Sequence, residues 1–122
     1  MHTILVVDDS PSLLQMVSFT LENAGYELLL ADSGYAALQL VKHHSVDLIL
    51  SDINMDGLNG IQFVGRLKQM PQYRNIPVLM LTTESTRYKE DAKQLGVKGW
   101  IQKPVDATRL LTAVSATLEH KH

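Results

Sequence analysis

The sequence predicts an α/β fold of three layers, in which a doubly wound sheet of five parallel strands lies between two layers of helices. First, three short apolar runs are continuous rather than alternating, at Ile4 to Val7, Leu48 to Leu50 and Val78 to Leu81. Strands of this kind are buried on both faces, as in a parallel sheet that helices cover. Second, segments with apolar residues at helical spacing separate the strands, which indicates repeated strand-helix units.

The first unit joins the strand Ile4 to Val7 to a helix that begins at Ser10 and Pro11. Serine is a good N-cap residue, and proline is tolerated in the first turn. The apolar residues of this helix recur at helical spacing up to Gly25, at Leu13, Leu14, Val17 and Leu21.

The second unit has a strand at Glu27 to Ala31, and Asp32-Ser33-Gly34 forms the turn into its helix. The apolar residues of that helix are Ala37, Leu38, Leu40 and Val41. The third strand begins at Leu48 and ends at Asp52. After a loop rich in Asn, Asp and Gly, a third helix starts near Asn59-Gly60 and must end before Pro71. Its apolar residues are Ile61, Phe63, Val64 and Leu67.

The last two units are shorter. The strand from Val78 ends in Thr82-Thr83, and the segment Ser85 to Leu95 has a helical pattern with a thin apolar stripe. A strand at Gly99 to Gln102 is followed by a bend at Lys103-Pro104, and Asp106 is a good cap for the final helix. That helix carries Leu110, Leu111, Val114 and Leu118.

Five such units with right-handed crossovers suggest the flavodoxin-like strand order 2-1-3-4-5. This order is taken from known doubly wound folds with five strands and does not follow from the sequence pattern itself. The chain of 122 residues has the size of one domain, without repeats or a linker, so we expect residues 1–122 to form a single unit with no output domain.

Composition narrows the functional class. The chain has no cysteine, which excludes disulfides and thiolate metal sites. Its net charge of −2 argues against a nucleic-acid-binding module, which needs a concentrated basic face. No apolar run approaches the length of a membrane span. We therefore expect a cytoplasmic protein whose partners are other proteins, with no role at nucleic acid or membrane.

Polar residues follow four of the predicted strands. Asp8 and Asp9 end the first strand, Asp52 the third, Thr82 the fourth and Lys103 the fifth. Ligands of doubly wound sheets bind outside the carboxyl ends of the strands, so these side chains should converge. Each motif alone also has a structural explanation as a helix cap or a turn. Their joint occurrence at four strand ends favours a functional site.

Three carboxylates in a small space either raise a pKa or bind a cation, and a site of oxygen ligands suits Mg²⁺, with Mn²⁺ as an alternative. Lys103 supplies a compact positive charge and Thr82 a hydroxyl donor, both suited to phosphate oxygens. A carboxylate nucleophile, a metal ion and a lysine suffice for phosphoryl transfer to aspartate.

These residues resemble the receiver domains of two-component response regulators, of the stand-alone CheY-like type, along essentially the whole chain. The motifs that carry the resemblance are Val6-Val7-Asp8-Asp9-Ser10, Asp52-Ile53-Asn54-Met55 with Gly60, Thr82-Thr83-Glu84, and Lys103-Pro104. The resemblance implies that Asp52 is the phosphoacceptor and that Asp8 and Asp9 hold Mg²⁺, with the backbone carbonyl of Asn54 as a further ligand.

The resemblance also implies roles for the other motif residues. Thr82 would bind the phosphoryl group and couple to Trp100 as the switch aromatic, and Lys103 would pair with the phosphoryl group. Asn54 and Glu84 would tune dephosphorylation. The Lys103-Pro104 bond is expected to be cis, which proline makes accessible.

Two positions depart from the family pattern. Asp56 stands where the family usually has proline, so the loop should be less rigid and carries another acid. Leu14 stands where relatives often have arginine, on a helix face that commonly meets the kinase or phosphotransfer partner.

The resulting hypothesis is a phosphorelay switch that is not an enzyme beyond its own phosphotransfer and dephosphorylation. A sensor histidine kinase or histidine phosphotransfer protein would phosphorylate Asp52, and an unidentified downstream protein would respond. One alternative is a receiver that acts as a scaffold without phosphorylation. A second is an aspartate-based phosphatase, although the acid expected two residues after the nucleophile is here Asn54. A flavin or nucleotide carrier is disfavoured because the first loop is acidic.

Overall fold

The computed structural model describes residues 2–55, 57–83 and 89–119, and its centre is a sheet of five parallel strands. The strands are β1 (Thr3–Val7), β2 (Glu27–Ala31), β3 (Leu48–Asp52), β4 (Val78–Thr82) and β5 (Gly99–Gln102). They are hydrogen-bonded in the order β2-β1-β3-β4-β5, and every pairing is parallel. The predicted fold class and strand order are confirmed.

Among the described residues, five α-helices connect or follow the strands: α1 (Pro11–Asn23), α2 (Gly34–His43), α3 (Gly60–Lys68), α4 (Lys89–Gln94) and α5 (Ala107–Glu119). A short 3-10 helix at Pro71–Tyr73, which the sequence did not predict, lies between α3 and β4. The predicted helix from Ser85 to Leu95 is described only from Lys89 onwards, and residues 84–88 lie outside the described residues. Within the described residues, no helix is both long and apolar enough to cross a membrane.

The side-chain caps predicted for the first and last helices are present. Ser10 Oγ accepts a hydrogen bond from the backbone N–H of Leu13 at 3.3 Å, and Asp106 Oδ2 accepts one from Arg109 at 2.9 Å. At the start of α3, Asn59 and Gln62 form a reciprocal capping box. The loops before α1 and α5 have only three and four residues, whereas seven residues, 53–59, separate β3 from α3.

The core consists of two apolar layers, one on each face of the sheet. Alternate residues of the central strands, such as Leu5 and Ile49, face α2 and α3, where Phe63 is fully buried. The intervening residues, such as Ile4 and Leu48, face α1 and α5. This two-sided burial explains why β1, β3 and β4 have continuous apolar sequences.

Candidate functional site

The carboxyl ends of four strands bring the predicted site residues to one edge of the sheet. Asp8 directly follows β1, Asp52 and Thr82 are the last residues of β3 and β4, and Lys103 directly follows β5. The side chain of Asp8 is fully buried, and Asp52 and Thr82 retain 4% and 1% of their accessible surface. Asp9 is exposed and Lys103 is partly buried. The neighbouring strands therefore assemble a polar cluster in an otherwise apolar setting.

Three carboxylates share this cluster. Asp8, Asp9 and Asp52 each contribute one carboxylate oxygen, and these oxygens all lie within 4.8 Å of one another. Such a concentration of like charge is unfavourable unless a cation, a proton or an ammonium group compensates it.

Lys103 supplies part of that compensation. Its Nζ lies 2.9 Å from Oδ2 of Asp8 and 3.3 Å from Oδ1 of Asp52. Burial alone would lower the pKa of Lys103, but its contacts with Asp8 and Asp52 outweigh burial and raise that pKa. The backbone N–H of Lys103 also donates to the carbonyl of Thr82 at 2.8 Å. The peptide bond between Lys103 and Pro104 is cis.

The charge state of Asp52 reflects its position among these groups. Burial raises the pKa of Asp52 above its ordinary value, and the nearby charge of Asp8 raises it further. The Lys103 ammonium opposes this shift without cancelling it. Oδ1 of Asp52 also accepts a long hydrogen bond, 3.4 Å, from the backbone N–H of Asn54. The negative charge of Asp52 is thus only partly compensated, and an additional cation would stabilise it.

Asp8 retains one oxygen suited to a metal ion. Its Oδ1 accepts a hydrogen bond from the backbone N–H of Ser10 at 2.9 Å. Its Oδ2 is buried and contacts Lys103 as an ion pair, but it accepts no hydrogen bond with good geometry from the described residues. A buried carboxylate oxygen of this kind, beside two further carboxylates, fits a hard divalent cation such as Mg²⁺.

The backbone at Asp52 is held by two contacts that the sequence analysis missed. Ser51 Oγ donates a hydrogen bond to the carbonyl of Asp52 at 2.9 Å. A Cβ atom on Gly60 would overlap that same carbonyl oxygen and would lie 2.8 Å from Cα of Ile53. Only glycine therefore allows the first turn of α3 to lie this close to the end of β3. The glycine at a helix start was visible in the sequence, but its contact with Asp52 was not.

The two residues predicted to form the switch lie around one cavity beside β5. Thr82 and Trp100 both line this cavity, which has a volume of about 300 Å³ and is completed by other residues of β5, by Pro104 and by residues of and just before α5. Trp100 is partly buried and pairs in register with Met80 of β4. The side chain of Asn54 is exposed at the front of the site. Glu84 and Asp56 lie outside the described residues.

The family model, a similar curated protein and a similar solved structure all relate this chain to response regulators. The family model described as the response regulator receiver domain matches residues 4–115. The chain is 35% identical to protein PilH of Pseudomonas aeruginosa, an alignment that covers 97% of this chain and 98% of PilH. It is 34% identical to the transcriptional regulatory protein GlrR of Escherichia coli, but it spans only 26% of that protein. Among solved structures, chemotaxis protein CheY4 of Vibrio cholerae superposes with a TM-score of 0.93 at 42% identity, covering 97% of this chain and 99% of CheY4.

Proposed function

The chain belongs to the response regulator receiver domain family, and on that premise we propose that Asp52 accepts a phosphoryl group from a phosphohistidine. Receiver domains are signalling proteins that sensor histidine kinases phosphorylate and that act on downstream targets. The observation that carries the proposal is the contact of one ammonium, Lys103, with two buried carboxylates, Asp8 and Asp52.

In the proposed transfer, a carboxylate oxygen of Asp52 attacks the phosphorus atom of the donor phosphohistidine. The new oxygen–phosphorus bond forms an acyl phosphate, and the phosphorus–nitrogen bond breaks with its electron pair returning to the imidazole. The donor is the active histidine of a sensor kinase or of a histidine phosphotransfer protein. Little covalent chemistry is required of the protein, so orientation and charge compensation do most of the catalysis.

Asp8, Asp9, Asp52 and the backbone carbonyl of Asn54 would hold Mg²⁺, and Mn²⁺ would suit the same oxygen ligands. The ion would neutralise charge on the transferred phosphoryl oxygens when bound. The cluster of carboxylate oxygens within 4.8 Å supports this assignment.

Lys103 and Thr82 are proposed to bind the phosphoryl oxygens. An ammonium that contacts Asp52 before transfer is positioned to pair with the new dianionic group afterwards, when its contact with Asp8 is retained. Thr82 ends the neighbouring strand and offers a hydroxyl donor. Asn54 and Glu84 are proposed to control how readily water reaches the acyl phosphate.

The output is proposed to be a change of a protein-binding surface. When Thr82 turns its hydroxyl toward the phosphoryl group, it vacates space in the cavity that it shares with Trp100. An inward rotation of Trp100 would then alter the surface around β5 and α5, which a downstream protein reads. We further propose that the chain works as a stand-alone receiver, as the match over nearly the whole of PilH supports.

The decisive experiment is chemical phosphorylation followed by intact-mass measurement. Wild-type protein incubated with acetyl phosphate and Mg²⁺ should gain the mass of one phosphoryl group, and Asp52→Ala should gain none. Asp32→Ala is a matched control, because Asp32 is an exposed aspartate that directly follows β2 outside the cluster. A beryllofluoride mimic should change Trp100 fluorescence in the wild type and in Asp32→Ala, but not in Asp52→Ala. Equal labelling of wild type and Asp52→Ala would contradict the proposal, and a scaffold independent of phosphorylation would show neither response.

A further inference from the structure

The proposed metal site takes one ligand from the loop between β3 and α3, residues 53–59, here called the β3–α3 loop. Its two ends are held by its own backbone. The N–H of Gly60 donates to the carbonyl of Ile53 at 2.8 Å, which closes the loop. The capping box of Asn59 and Gln62 fixes the exit into α3. Met55, the residue directly after Asn54, retains 8% of its accessible surface and anchors the Asn54 carbonyl on that side. Gly57, by contrast, is exposed, so the remaining freedom of the loop depends on what restrains this residue.

Gly57 and Leu58 of the β3–α3 loop pack against the first turn of α2. Gly34, the first residue of α2, is buried, and a Cβ on it would lie 2.9 Å from Cδ2 and 3.2 Å from Cβ of Leu58. The backbone of α2 therefore lies directly on Leu58, which retains 3% of its accessible surface. This contact anchors one residue of the loop in the core.

Tyr35, the next residue of α2, covers the adjacent loop residue. Gly57 has a φ of +78°, a conformation that favours glycine, and a Cβ on it would lie 3.3 Å from Cε2 of Tyr35. The aromatic ring thus packs on the bare backbone of Gly57, while 55% of the Tyr35 surface remains exposed. A ring in this position restricts the left-handed residue, which is the point of the loop where the backbone has most conformational freedom.

The start of α2, which carries Tyr35, is held by a helix cap and by contact with the core. Ser33 caps α2, accepting a hydrogen bond on Oγ from the N–H of Ala36 at 3.0 Å and one on its carbonyl from Ala37 at 3.0 Å. Ala37 is fully buried in the core. A displacement of the β3–α3 loop at Gly57 would therefore lose its contact with Tyr35 rather than carry α2 along.

We propose that Tyr35 is a positioning residue of the metal site: it restrains Gly57 from α2 and thereby holds the Asn54 carbonyl in place for a divalent cation. The inference rests on the proposed function, since it concerns the same site. It assigns to α2, which contributes no residue to the acidic cluster, control over how tightly that cluster binds Mg²⁺. Groups that orient metal ligands without touching the metal commonly affect affinity in this way.

The test compares Tyr35→Ala with Tyr35→Phe, which keeps the ring, and with Phe19→Ala. Phe19 is a matched control because it is an aromatic residue on α1, 69% exposed. Tyr35→Ala should weaken Mg²⁺ binding about tenfold, the lower end of the effect of groups that orient metal ligands, as measured by calorimetric titration. Without metal, it should speed amide hydrogen exchange in the β3–α3 loop but not in β1 or β3. Tyr35→Phe and Phe19→Ala should behave as wild type in both measurements.

Two results would overturn the proposal in different ways. Unchanged exchange of the β3–α3 loop in Tyr35→Ala would show that the ring restrains nothing. Faster exchange with an unchanged Mg²⁺ affinity would show that the restraint is not coupled to the ligand. If the wild type itself bound no Mg²⁺, the proposed metal site would fail and the positioning role with it, whereas the first two results leave that site intact.

Discussion

Lys103 Nζ lies 2.9 Å from Oδ2 of Asp8, a fully buried carboxylate that follows β1, three strands away from β5 in the sheet. The same ammonium lies 3.3 Å from Oδ1 of Asp52, the last residue of β3, which is between β1 and β5 in the sheet. One positive charge is thus shared between two negative ones. This imbalance of charge destabilises the fold and favours the binding of a cation.

Removal of the shared ammonium should destabilise the protein. Lys103→Met leaves Asp8 buried without an ion-pair partner, and loss of one member of a buried ion pair is strongly unfavourable. Because Lys103 is partly exposed, we expect a loss of about 2 kcal/mol in the free energy of unfolding, measured by urea denaturation without divalent ions. Lys98→Met, at an exposed lysine just before β5, should stay within about 0.5 kcal/mol of wild type. Equal effects of the two substitutions would contradict the inferred role of the ion pair.

Neutralisation of Asp52 should stabilise the protein. The pKa of Asp52 is raised by burial and by Asp8, so the folded state binds this proton more tightly than the unfolded state does. In the wild type this contribution to stability is present below the ordinary aspartate pKa and is lost as the pH rises through the raised pKa. The asparagine of Asp52→Asn does not ionise, so this variant has no charge to bury at any pH. At neutral pH without Mg²⁺, its Tm should therefore exceed that of wild type by a few degrees. The difference should shrink toward acidic pH, and a lower Tm for Asp52→Asn at neutral pH would contradict this account.

Substitution of Asp8 and substitution of Asp9 should have different effects on the stability of the metal-free protein. Asp9 is exposed, so Asp9→Asn should leave the metal-free protein as stable as wild type while weakening Mg²⁺ binding. Asp8 is buried against Lys103 and Ser10, so Asp8→Asn should lower both stability and affinity. The measurement is Tm in EDTA and in Mg²⁺. At about one hundred times its Kd, the ion should stabilise wild type by about 2.7 kcal/mol. An identical response of the two variants would refute the distinction.

Gly60→Ala should damage the site through the backbone of Asp52. Its Cβ would overlap the Asp52 carbonyl oxygen, so α3 or the end of β3 must move, at a cost of about 2 kcal/mol or more. Labelling by acetyl phosphate should slow as well, because the acceptor carboxylate moves with its backbone. Gly65→Ala is a matched control in the same helix, since its added Cβ would meet no atom within 4 Å apart from its chain neighbours and the nearby backbone of α3 itself. It should be neutral or stabilise the protein by up to about 1 kcal/mol.

The sequence was sufficient to identify the strands, the α-helices and the members of the cluster, but not the short 3-10 helix, for reasons that are local. Continuous apolar runs at Ile4 to Val7 and Val78 to Leu81 require burial on both faces, and Ser10 and Asp106 mark helix starts that the structure contains. Since all five strands are parallel, the residues at their carboxyl ends had to share an edge. The roles assigned to those residues remain predictions that the experiments above address.

Only the tertiary structure decided which of these residues touch and what holds them. That Lys103 contacts Asp8 more closely than Asp52, and that Gly60 supports Asp52, depends on the packing of helices against the sheet. The contact of Tyr35 with Gly57 likewise joins two elements with no shared local pattern. Secondary-structure signals arise from periodicity and capping over a few neighbouring residues. Contact distances across the sheet edge depend on the whole core, so no segment of the sequence could specify them by itself.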